Sequence, residues 1–258
     1  MNRFGSPISA LRPESATVAH VLVAAAFVPS APVLVPELSG PGAPEVVPVR
    51  HAALAVSSEL NARARSWMVV GLGDPSVPVA ARGSFVGFGV DVQVDIAAGA
   101  TGAADPHMPT SVLIGGWLAG HSEPAPQLAV TLIDAATTGP LSVDLGRELG
   151  ARLAQTEEPV GLLVVADGAT TLGAKAPGGE VPEATGIQDG IDTALGSGDL
   201  AALAALDEGE CVRAGVAGRA VWQLVCGAVD GARIDAELLY ASAPFGVGYT
   251  VARWDLRW

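Results

Sequence analysis

The stretch Pro159–Ala166 (PVGLLVVA) constrains the fold most tightly. It carries no charge, is short for a buried helix, and runs directly into Asp167-Gly168-Ala169-Thr170-Thr171. A short apolar run bounded by turn residues reads as a strand buried on both faces, and helices laid over both sides of a parallel sheet provide that burial. Two further runs have the same form. Val21–Val28 meets a proline loop at Pro29-Ser30-Ala31-Pro32, and Trp67–Leu72 ends in Gly73-Asp74-Pro75. Leu128–Asp134, third in chain order, is expected as a core strand too. In an open α/β sheet, ligands bind in the crevice at the carboxyl ends of the strands, so the loops at Ser30, Asp74 and Asp167 are where a site is expected.

Between these runs the spacing turns helical. Glu45–Arg65 places Val49, Ala52, Ala53, Val56 and Leu60 on one face, and Pro44 and Pro48 suit its start. An apolar helix is expected from the Asp105-Pro106-His107-Met108-Pro109 segment through Leu118, and an amphipathic one over Leu141–Gln155. Three more are expected near 186–196, 199–206 and 208–228, after the proline-glycine loop Ala176–Pro182. Phe85–Ile96 alternates, with Val90, Val92, Val94 and Ile96 opposite Asp91, Gln93 and Asp95, which predicts an exposed antiparallel or edge strand. Ile234–Ala241 and Val247–Trp254 read as a closing strand pair around Pro244-Phe245-Gly246. Strands alternating with helices, followed by that pair, predict a three-layer α/β/α domain with a mixed, largely parallel central sheet. One domain is expected over residues 20–258, with 1–19 as a loose N-terminal extension.

With 258 residues, half of them hydrophobic, the chain can bury a substantial core. Its 14 Lys+Arg against 27 Asp+Glu give a net charge of −13, a field that repels phosphate backbones and anionic lipid. Nucleic-acid and membrane-surface partners are therefore not expected. No segment approaches the roughly 20 apolar residues that cross a bilayer. Arg3, Arg12 and the run Val21–Val28 imitate a secretory signal, but Glu14 and His20 interrupt the approach and prolines crowd the supposed cleavage point. A cytoplasmic location is expected. Cys211 and Cys226 both fall in the segment read as one helix, where 15 residues span roughly 22 Å. That is too far for a disulfide, so two buried or partly buried thiols in a reducing compartment are expected.

Several stretches, in this order, resemble the class III extradiol ring-cleavage dioxygenases, in their subunit-B-like branch. They are Phe27–Glu37 (FVPSAPVLVPE), Trp67–Asp74, Asp105–Leu118, Asp167–Leu172 and Leu239–Ala252 (LYASAPFGVGYTVA). The resemblance implies a non-haem Fe(II) enzyme that opens catechol-type rings with O2. Its iron is held by two histidines and a glutamate, and another histidine serves as acid/base. Such a facial set leaves open positions for catecholate and O2, and a near-neutral imidazole can move the substrate's proton. Carried over position by position, the set is missing here. Ser30 stands where the family has a histidine between prolines. Gly73, with Asp74 beside it, stands at the second loop, Val216 where the glutamate belongs, and Thr170 at the acid/base histidine. No histidine lies between 52 and 106 or after His121.

The expected pocket is therefore Ser30, Asp74, Asp105, His107, Asp167 and Thr170, with no metal ligand set and no cofactor. His107 has two readings: a retained donor to substrate, or a loop histidine set between Pro106 and Pro109, and the second is preferred. Asp74, Asp105 and Asp167 could converge on a hard divalent ion, or merely stabilise turns and helix starts. Ser30 and Thr170 lack an evident base to activate them. The function expected is that of an extradiol-dioxygenase-like protein, catalytically inactive, with a binding, scaffolding or subunit role. A small-molecule ligand and a homo-oligomer, through the closing strands and Trp222, are its expected partners. The alternative is an active oxidoreductase or other metal-dependent enzyme with unorthodox ligands.

Overall fold

In the computed structural model, residues 21–40 and 43–258 are described; the extension expected over 1–19 lies outside them. Strand β1, Leu22–Val28, is almost wholly buried. Beyond it the prolines set two short turns of helix, a 3-10 turn Pro32–Leu34 and α1, Pro36–Ser39, each with the proline where no backbone N–H is needed. Helix α2, Val47–Arg63, buries Val49, Ala53, Val56 and Leu60, the face read from the sequence. Strand β2 is Ser66–Leu72.

The next stretch departs from expectation. Arg82–Ser84 (β3) pairs with Gln93–Asp95 (β4) in a separate two-stranded ribbon, and Phe85–Phe88 forms a 3-10 turn between them. The long strand over 85–96 does not form, although Val94 and Ile96 are buried and Asp91, Gln93 and Asp95 exposed. Ser84 breaks the run by accepting the Val86 N–H, 3.1 Å, at the start of the turn.

Helix α3, Thr110–Gly120, leads to β5, Gln127–Ile133, and α4, Gly139–Leu153, to β6, Val160–Val165, which is buried at every residue. Four helices follow: α5, Ala184–Ser197; α6, Leu200–Ala204; α7, Glu208–Ala214; and α8, Arg219–Ala228. The single helix expected over 208–228 is thus two, broken at Gly215, whose φ of 69° lies in the left-handed region that glycine tolerates. Cys211 and Cys226 fall on different helices and are both free and buried, so their separation along one helix is not what keeps them apart. Strands β7, Arg233–Ser242, and β8, Tyr249–Arg257, close the chain.

The main sheet has the order β5-β2-β6-β1-β8-β7, parallel from β5 to β1 and antiparallel across β8 and β7. It is an α/β fold with a mixed, mostly parallel six-stranded sheet between helical layers. One core cluster joins Phe27, Leu162, Val164 and Trp254 to α4 and α5–α8. The other joins Val69, Leu163 and Val165 to α2 and α3. Strand β5, expected in the core, is the sheet's edge. Helices α4 and α8 meet through glycine. Space for a methyl at Gly146 is taken by the Leu224 carbonyl, and at Gly227 by the Val143 carbonyl, so the two backbones approach closely. Among the described residues no helix is long and apolar enough to cross a membrane.

Candidate functional site

The carboxyl ends of β1 and β6 lie side by side, and their register carries on past the strands: the Ala166 N–H bonds to the Val28 carbonyl, 3.0 Å. This brings Ser30 and Asp167 together across 137 residues of chain. The Ser30 N–H donates to Asp167 Oδ1, 2.8 Å. Antiparallel β8 begins at the same end of the sheet. The Gly168 N–H donates to the Gly248 carbonyl, 2.9 Å, and the Gly248 N–H to the Ala169 carbonyl, 2.8 Å. Asp167 therefore sits on a loop locked between two strands. Burial pushes its carboxyl up to about 7, against the lowering effect of the Ser30 N–H. Tyr249, itself buried, is near enough that the Asp167 charge adds to the effect of burial in raising its phenol.

Behind this loop lies a polar group that sequence reasoning missed. Gln188 of α5 is buried, and its carboxamide fills the space that side chains at Gly168 and Gly248 would need. It accepts the Ala169 N–H, 2.8 Å, and donates to Asp192, 2.9 Å, and Thr250, 3.3 Å. Thr250 in turn donates to Asp192. Burial raises the Asp192 carboxyl, opposed by the bonds from Thr250 and Gln188. The network holds the loop by its backbone, and the two glycines were its only trace in the sequence.

Thr170 joins Asp167 on this loop, but its hydroxyl is directed to the Gly215 carbonyl, 3.3 Å. The other named residues serve their own turns. Exposed Asp74 accepts from Ser76 N, 2.8 Å, and Ser76 Oγ, 2.6 Å, and the Ser76 hydroxyl is the main cause of its lowered pKa. Asp105 accepts the His107 N–H, 2.8 Å, and adds to the β3 ribbon through Arg82 and Ser84. His107 is exposed. These are local aspartate turns of the ordinary kind. Among the described residues no group of three or more His, Cys, Asp or Glu comes together to hold a metal ion. Of the six residues expected together, Ser30, Asp167 and Thr170 share one end of the sheet, while Asp74, Asp105 and His107 lie in turns of their own.

No protein-family model matches the sequence, and no curated protein is similar to it. A solved structure is: the uncharacterized protein JW3007 from Escherichia coli K12. It is 16% identical, with a TM-score of 0.55 over 90% of this chain and 99% of that one. At that identity the likeness is one of fold.

At two of the four places where the resemblance would put an iron ligand or the acid/base, Gly73 and Val216, neighbours take the space. A Cβ at Gly73 would lie 2.8 Å from Leu132 Cδ1 and 3.2 Å from Pro109 Cγ. Val216 is 4% exposed and packed into the core cluster of α5–α8. Ser30 offers a hydroxyl, and Thr170 one already directed to a backbone carbonyl. Neither is an imidazole, and burial pushes the carboxyl beside them, Asp167, up to about 7. These residues do not fit a site of two histidines and a carboxylate on ferrous iron.

Proposed function

We propose that this chain is a cytoplasmic relative of the class III extradiol dioxygenases that no longer cleaves rings and serves as a binding or subunit protein. The observation that carries the reading is Gly73: the volume a ligand side chain would need there is taken by Leu132 and Pro109. A side chain there would have to displace the end of Leu132 and press on the Pro109 ring. The order of the motif-like stretches and the α/β/α architecture support the ancestry. The Ser30–Asp167 junction supports the binding role. A carboxyl whose pKa is pushed up to about 7 keeps its proton under mildly acidic conditions and there donates a hydrogen bond to a small polar ligand without bringing a full charge to it.

The test is elemental analysis of the purified protein, joined to a catechol ring-cleavage assay after anaerobic incubation with ferrous iron. Substoichiometric iron and no yellow ring-opened product are expected. Stoichiometric iron with turnover of an aromatic diol would overturn the reading.

A further inference from the structure

The two edges of the main sheet are built differently. On β7, Arg233, Asp235 and Glu237 project along the strand. Asp235 and Glu237 pair with Arg257 and Arg253 of β8, and the ladder shifts register between Leu238 and Tyr240. Charges and a bulge are the usual protection of an edge against another strand. Strand β5 has neither: Gln127–Ile133 (QLAVTLI) contains no charge and no proline, and pairs with β2 in unbroken register over seven residues.

Its outward polar groups can be identified. The Gln127 N–H donates to the Arg65 carbonyl and the Ile133 carbonyl accepts from Gly73, so Gln127, Ala129, Thr131 and Ile133 turn their backbone toward β2. Leu128, Val130 and Leu132 turn theirs outward. Among the described residues no backbone hydrogen bond joins 77–81, the nearest chain, to this edge. The edge is the floor of a groove of about 700 Å³. One wall is Val77–Ala81 with Ile96 and Ala97; the other is α4, with Leu145, Glu148 and Arg152.

We infer that this edge binds a second copy of the same chain, β5 against β5 in antiparallel sense about Val130. A two-fold axis normal to the sheet sets Leu128 opposite Leu132 of the second copy, and Val130 opposite its equivalent. These are the residues with outward N–H and C=O groups, so each pair exchanges both of its bonds. The same axis sets each wall against its own copy. That covers Val77, 59% exposed, and the α4 leucines Leu141 and Leu145, 51% and 38% exposed. A lone extended peptide on β5 would leave Leu141 bare, since it lies outside the groove. Charge agrees: Glu148 and Arg152 stand one turn apart on α4, and an antiparallel copy offers base to acid and acid to base. The contact expected through Trp222 is not available, since that ring is 2% exposed within its own chain.

Sedimentation equilibrium on the full chain across the micromolar range tests this, together with hydrogen exchange at low and high protein concentration. The expected mass is twice 25.8 kDa, with the Leu128, Val130 and Leu132 amides slowing as concentration rises. Ala129→Lys, at an exposed position directly opposite Thr131 of the second copy, raises the dissociation constant by about tenfold or more. Val212→Lys, on exposed α7, leaves it unchanged. A monomer throughout overturns the inference and leaves the edge to a foreign strand; a dimer that Ala129→Lys leaves intact, or whose β5 amides exchange freely, overturns it equally.

Discussion

Replacing Asp167 with Asn isolates the strain that the buried carboxyl places on the fold. Its pKa moves from 3.8 to about 7 because burial disfavours the charged form. A rise of about three units is worth about 4 kcal/mol at about 1.4 kcal/mol per unit. The sign follows from proton binding. Between 3.8 and about 7 the folded chain holds a proton that the unfolded chain has released. The contribution is therefore most favourable below 3.8, falls as pH rises through this window, and is flat above it. Asparagine keeps an oxygen for the Ser30 N–H and never ionises. The variant should exceed the wild type in stability by about 2 kcal/mol near pH 5.5 and by about 4 kcal/mol near pH 8.5. Urea unfolding of both proteins, followed by tryptophan fluorescence, measures the gap. Asp192 occurs in both chains and cancels in the difference, and Tyr249, whose phenol burial and the Asp167 charge both raise, stays protonated across this range. A gap that does not widen with pH, or a variant weaker than wild type at both values, would refute a carboxyl held neutral by burial.

Gly227→Ala tests the close approach of α4 and α8. The added methyl meets the Val143 carbonyl and lies 2.8 Å from the Arg147 nitrogen, both backbone, so a loss of about 3 kcal/mol or more is expected on urea unfolding. Gly186→Ala, with nothing within 4 Å of the new carbon, serves as its control and should gain about 0.4–1 kcal/mol. His107→Ala should shift stability by no more than about 0.5 kcal/mol, because the ring is exposed and only its backbone N–H is engaged by Asp105. A large loss in thermal melting would place that imidazole in a buried network.

What the sequence made legible and what it did not divide along physical lines. The apolar runs at 21–28, 67–72 and 159–166 became β1, β2 and β6 because continuous hydrophobicity over strand length is a local property. The same reasoning put β5 in the core and was wrong, since a run of apolar residues does not say whether one strand or two will lie beside it, and β5 has only β2. Over 85–96 the alternation of exposure was real, but a ladder also needs a neighbour at the right spacing, and only Gln93–Asp95 found one. At the site, Ser30 and Asp167 were named from strand-end position and Thr170 from the resemblance, whereas Gln188 was invisible. Its role depends on Gly168 and Gly248, which lie 20 and 60 residues away in sequence and close beside its carboxamide in space. Gly73 states the difference most plainly. That no imidazole stands there is a fact about one residue. That none would fit without moving Leu132 of β5 and Pro109 at the start of α3 is a fact about three elements packed together. The absence of an imidazole at Gly73 was therefore readable from the chain, while the packing around it follows only from the fold.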